Sequence, residues 1–153
     1  MMRDSRLSAV LHALLHMAER DGPMTSEALA MCMNTNPAVV RRTMAGLREM
    51  DLVRSEKGHG GGWHLARGFE TVTLRDIYDA LGAPQVFAIG NKTESPVCLV
   101  EQAVNDALSD AMREAEALLV QRLGDVTLAA LSADFHRRHA DHKSKRGDAH
   151  HAA

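Results

Sequence analysis

Arg41 and Arg42 stand just after Asn36-Pro37. Asn is a good N-cap and Pro suits the first helical position, so a helix opens here with two guanidinium groups in its early turns. Side chains early in such a helix reach base edges, and Arg binds guanine through two hydrogen bonds. The helix N-terminus adds N–H groups and positive potential for a phosphate. A solvated arginine pair is the plain alternative. Further on, Lys57-Gly58-His59-Gly60-Gly61-Gly62-Trp63 packs four glycines into five residues. Such a loop allows close approach of backbone to a partner, and it can enter a minor groove with Lys57 and His59 beside phosphates. Two enzyme readings of these glycines fail. His59-Gly60-Gly61-Gly62 resembles an oxyanion-hole segment, but the chain has no G-x-S-x-G nucleophile elbow. No G-K-[ST] follows the glycines either, so they form no Walker phosphate loop.

Two further groups could do chemistry. Cys98 opens a long stretch without Gly or Pro. At a helix N-terminus the dipole stabilises a thiolate, which can be oxidised or form a disulfide and act as a sensor. A small, partly buried side chain is the plain alternative, and Cys32 reads as core. His12 and His16 are four residues apart and share a helix face, a spacing that can chelate a metal.

Helices must position these residues. Leu7, Val10, Leu11, Leu14, Leu15 and Ala18 recur at helical spacing from about Ser5 to Glu19, and Asp21-Gly22-Pro23 ends the run. A short second helix spans about Ser26 to Met33, capped by Thr25 or Ser26. The third runs from Pro37 to about Met50 with Val40, Met44 and Leu47 inward. Alternating flanks at Leu52–Ser55 and Trp63–Ala66 predict a hairpin, or β-wing, around the glycines. A fourth helix covers Thr73 to about Leu81. Residues 84–96 read as a loop. From Val97 to about Leu123 one long helix carries Val100, Val104, Ala107, Leu108, Ala111, Ala115, Leu118 and Leu119 in one stripe. That stripe is too large for so small a domain to bury, which predicts a helix–helix dimer. Folding back on its own domain is the alternative. A last helix spans about Thr127 to His139, and the polar tail beyond Ala140 reads as disordered.

The expected organisation is mainly α: a winged helix-turn-helix domain over 5–82, a sensor or linker loop over 83–96, dimerisation and terminal helices over 97–139, and a disordered tail over 140–153. The chain has 153 residues, 45% hydrophobic and 3% aromatic, a composition that leans towards helices. No apolar run approaches the ~18–20 residues of a membrane span. Two cysteines exclude a disulfide-dense secreted scaffold, and no signal-peptide cleavage pattern follows the first helix, so a cytoplasmic protein is expected. Residues 1–68 hold nine Lys/Arg against seven Asp/Glu, whereas 69–153 hold nine against thirteen. A locally basic segment in an acidic chain suits a phosphate-facing surface.

The order helix-turn-helix, Asp51-Leu52-Val53, Lys57-Gly58-x-Gly60-Gly61-Gly62-Trp63-x-Leu65, then Val72-Thr73-Leu74-x-Asp76-Ile77 resembles the Rrf-type bacterial transcription regulators. The similarity spans about residues 5–135. Trp63 stands where Tyr is usual and Asp51 where Gly is typical. The resemblance implies a homodimer that binds a pseudo-palindromic double-stranded DNA operator, with no membrane role. Cluster-binding members carry three cysteines in the loop and at the start of the long helix, often with a His three residues after the third. Here only Cys98 matches, and Glu101 replaces that His. A conventional three-cysteine iron–sulfur cluster is therefore not supported. An atypical metal or cluster site using His12, His16, Cys98 and Glu101 stays open, since in the family the first helix can approach the partner's sensor loop.

The combined expectation is a sequence-specific regulator of the repressor type, answering a redox, metal or small-molecule signal. Arg41, Arg42 and Asn36 would work in the major groove, Lys57, His59 and Gly60 at the wing, and Thr25, Ser26 and Arg6 on phosphates. The alternatives are a winged-helix protein-interaction module without DNA affinity and a cysteine-dependent enzyme using Cys98.

Overall fold

The computed structural model describes the backbone of residues 3–150 and the side chains of residues 3–145. Three helices open the chain: α1 (Arg6–Ala18), α2 (Ser26–Cys32) and α3 (Pro37–Glu49). The stripe read from the sequence packs in large part, although on α1 the buried face takes in Ala13 and Met17 and leaves Ala18 exposed. Val10, Leu14, Leu29, Val40, Met44 and Leu47 are all buried in one core. Thr25 caps α2 by accepting the Ala28 N–H at 3.1 Å, and Asn36 caps α3 by accepting the Val39 N–H at 3.1 Å. Beyond α3 the chain turns at Asp51, whose φ of +55° is left-handed backbone. The Leu52 N–H closes back on the Leu47 carbonyl at 3.0 Å. Glycine suits this position best, and Asp is among the few residues that tolerate it.

The wing follows as an antiparallel pair, β1 (Val53–Glu56) and β2 (Gly62–Leu65), with Val53 opposite Leu65 and Glu56 opposite Gly62. Then comes α4 (Leu74–Ala80). Its start explains the Thr73-x-x-Asp76 spacing. The Asp76 N–H donates to Thr73 Oγ1 at 3.2 Å, and the Asp76 carboxylate accepts the Thr73 N–H at 2.8 Å. Each side chain satisfies the other's orphan backbone group, a reciprocal cap. Tyr78 closes the far end, its hydroxyl donating to the Pro84 carbonyl at 2.8 Å.

Helix α5 (Leu99–Gly124) is 26 residues long, about 39 Å at ~1.5 Å per residue. It packs on α4 near its C-terminal end, but its single buried residue is Asn105. Val97, Val100, Val104, Leu108, Leu118 and Leu119 all remain exposed within one chain, Val104 by 50% and Leu118 by 56%. Helix α6 (Leu128–His150) returns to the core. Leu128 is fully buried and Leu131 packs against the core cluster. A short bridge of Thr73 with Thr127 ties its start to that of α4.

One expectation is corrected here. The tail over 140–153 reads as disordered from its polarity, yet α6 runs without a break to His150. The segment 140–150 holds no proline and a single glycine, and its Ala, Lys and Arg are good helix formers. Polarity removes the packing signal but not the helix propensity. Residues 151–153 lie outside the described residues. No helix among the described residues is long and apolar enough to cross a membrane.

Candidate nucleic-acid interface

Arg41, Arg42 and Arg48 lie on α3 and Arg54 and Lys57 on the wing, and the structure leaves them exposed. Arg41 is 59% exposed, and its one ionic neighbour, Glu27, lies at 4.0 Å. Arg42 is exposed and has no ion pair among the described residues. Asn36 is also exposed. Its carbonyl oxygen is committed to the cap, which leaves its amide N–H groups as donors. The cap fixes the direction of α3, and α3 in turn fixes where Arg41 and Arg42 project.

The wing tip spans Lys57 to Gly61, all between paired strands. Lys57, His59 and Gly60 are exposed. Two glycines have specific structural reasons. Gly58 has φ +97° and Gly60 has φ +77°, backbone that other residues rarely adopt. Gly62 is needed for contact: a Cβ there would come within 2.5 Å of the Met24 carbonyl oxygen. That close approach lets Met24 and Trp63 exchange two backbone hydrogen bonds, of 2.9 and 2.7 Å. The wing is thereby stitched to the segment between α1 and α2.

Trp63 is the hub that the composition hides. Its ring is buried, its indole N–H donates to Ser26 Oγ at 3.1 Å, and the Arg48 guanidinium sits 5.7 Å from the ring centroid. Arg48 also reaches Ser55 Oγ on β1 at 3.4 Å. One aromatic residue thus ties β2 to the start of α2 and the end of α3. Ser26 is an anchor for Trp63 in this arrangement, and its hydroxyl hydrogen stays available to a phosphate. Thr25 stays exposed, with its oxygen serving as the α2 cap.

Sequence reasoning counts Arg48 and Arg67 in the basic segment without giving either a structural role, and it passes over Met24. Arg67 donates to the carbonyl oxygens of Met50 (2.9 Å) and Asp51 (3.1 Å), holding the turn between α3 and β1. Both arginines are visible as basic residues in a mixed segment, but nothing in their spacing separates a structural arginine from a DNA-facing one. Arg6 stands exposed at the start of α1. It grips the Asp4 carboxylate at 2.6 Å and 3.0 Å, and it holds that carboxyl below its ordinary range.

The candidate sensor residue sits where expected. Cys98 is the exposed N-cap of α5, where the backbone N–H groups of Glu101 and Val100 in the first turn hold its thiol pKa below the ordinary value. It shares a cleft of about 430 Å³ with Asn91, Lys92, Glu101 and Asn105, and no histidine lines it. His12 and His16 do meet, with Nε2 atoms 2.9 Å apart on the exposed face of α1. Yet among the described residues no three His, Cys, Asp or Glu side chains converge. His12, His16, Cys98 and Glu101 therefore form no joint site within one chain.

A capped helix with exposed arginines beside a glycine-tipped β-wing defines the winged helix-turn-helix class. The chain belongs to the Rrf2 family of iron-dependent transcriptional regulators, whose model matches residues 3–134. It is 27% identical over 127 residues to YwnA of Bacillus subtilis (strain 168), assigned as an HTH-type transcriptional regulator. That alignment covers 83% of this chain and 94% of YwnA. A crystal structure assigned as a transcriptional regulator of Lactobacillus plantarum superposes with a TM-score of 0.73 at 20% identity, covering 95% of this chain and 99% of that one. CymR, the global cysteine regulator of B. subtilis, superposes with a TM-score of 0.60 at 21% identity, covering 87% and 98%. The two structures share the fold. The iron of the family description meets a poor donor set in this chain. The loop over 84–96 offers no thiolate, and Cys98 is a single sulfur ligand where an iron–sulfur cluster is held by several.

Proposed function

We propose that the chain works as a homodimeric, sequence-specific DNA-binding repressor with Cys98 as its sensing residue. One observation carries the DNA reading: Arg41 and Arg42 project, exposed, from the rigidly capped start of α3, in the same packed unit as a wing whose tip bears Lys57 and His59. In this reading Arg41, Arg42 and Asn36 meet base edges in the major groove. Lys57, His59 and Gly60 follow the backbone at the wing, and Thr25 and Ser26 hold phosphates.

Dimerisation is supported by the apolar stripe of α5. Val104, Leu108, Ala111, Ala115 and Leu118 recur at alternating intervals of four and three residues, the period of a helix–helix seam. A two-fold dimer presents two recognition helices, so the operator would be pseudo-palindromic. Cys98, exposed and with a lowered pKa at the start of that same helix, links thiol chemistry to the dimer. Repression then follows from occupancy of a promoter.

The test is retention of sheared genomic fragments on the immobilised protein at about 0.15 M salt, where non-specific affinity is weak. Enrichment of a few loci, abolished in Arg41→Ala, is the expected result. Uniform recovery of fragments overturns the sequence-specific reading, and no recovery at all favours a winged-helix module that binds protein instead.

A further inference from the structure

Between α1, α4 and α5 lies a cleft of about 580 Å³ that none of the DNA-binding residues lines. Its volume falls within the ~300–1,000 Å³ of small-molecule sites. Leu7 on α1, Val86 and Phe87 on the segment after α4, and Leu119 and Leu123 on α5 give it apolar walls. Its polar side chains are those of Arg3, Asp4, Tyr78 and the uncharged Gln85. The Tyr78 hydroxyl is spent on the Pro84 carbonyl. Asp4, the single acid on the lining, is held by the side chain and the backbone N–H of Arg6. Arg3 also lines the cleft, and it has no ion pair among the described residues. The cleft therefore pairs an apolar body with one uncompensated cation.

We infer that this cleft binds a small amphipathic carboxylate, its apolar body against Leu7, Phe87, Leu119 and Leu123 and its carboxylate on the Arg3 guanidinium. A guanidinium pairs with a carboxylate through two parallel hydrogen bonds, whereas it repels an ammonium. The apolar walls favour a straight aliphatic or an aromatic body through burial of its surface. The occupant would touch α1 and the end of α4, which belong to the DNA-binding unit, and also α5. Binding is independent of the DNA reading above; only a consequence for DNA affinity rests on it.

The experiment is calorimetric titration of the full chain with octanoate, with octylamine as the matched cation, repeated on Arg3→Gln. Arg3 is exposed near the chain start, so its replacement leaves the core intact. The expected result is octanoate binding at least about tenfold tighter than octylamine, with that preference lost in Arg3→Gln; tenfold corresponds to ~1.4 kcal/mol. Absence of octanoate binding, equal binding of the two probes, or an unchanged preference in Arg3→Gln would overturn the inference.

Discussion

Arg41 and Lys57 are both exposed cations, yet their loss should read out differently. Arg41 sits at the start of α3, where a guanidinium reaches base edges. Arg41→Ala should cost about 1–3 kcal/mol on the preferred site and relax specificity at one position. Lys57 sits on the glycine-rich wing tip, where its proposed contact is a phosphate. Lys57→Ala should weaken binding about equally on all sequences and lower the salt slope by about 1. Measuring both variants on matched and mismatched duplexes across salt separates the roles. If Arg41→Ala loses the same energy on every duplex, its base-reading role is wrong. Cys98 gives a second prediction. The Glu101 and Val100 N–H groups favour the thiolate, so alkylation of Cys98 should reach half-maximal rate below the ~8.5 of an ordinary thiol. A midpoint at or above that value contradicts its role as a reactive sensor. Asp51 adds a third. Glycine at φ +55° carries no Cβ penalty, so Asp51→Gly should raise stability by up to about 1 kcal/mol in a denaturant melt.

At the scale of elements, the caps and the wing stitch decide the architecture. Thr73→Ala removes half of the reciprocal cap on α4 and should cost about 1 kcal/mol. Gly62→Ala should cost more, because the new methyl meets the Met24 carbonyl and the Met24–Trp63 bridge must open. A thermal melt of both variants checks the order. These elements also show what a sequence can tell. Asn36-Pro37, Thr25 and Thr73-x-x-Asp76 announce helix starts because capping is local chemistry, readable within four residues. The stripes of α1 and α3 are readable because burial imposes the helical period. The Trp63 hub was not legible, since its partners are distant from it in sequence: Met24 and Ser26 lie around the start of α2, and Arg48 lies at the end of α3. The ion pair of Arg6 is overlooked for the opposite reason. Its partner, Asp4, is two residues away, and an exposed arginine near a helix start reads equally as a phosphate ligand. The extended α6 shows a different limit, because polarity speaks for solvent exposure and says nothing about backbone order.

At the scale of the whole molecule, the proposed homodimer rests on the uncovered stripe of α5. One chain leaves Val104, Leu108 and Leu118 in water, and a second copy of the same helix would cover them. Leu108→Glu places a charge in that seam and should convert a dimer to a monomer in sedimentation, with a loss of operator affinity but with the DNA-binding unit still folded. A wild-type chain that sediments as a monomer contradicts this arrangement. Specific DNA reading by two copies is the claim on which the rest depends, and selection of bound duplexes from a random-sequence pool tests it most directly. The expected outcome is a two-fold symmetric motif whose half-sites lie about one helical turn, or a multiple of ~10 base pairs, apart. A selected pool with no sequence enriched over the input would contradict it.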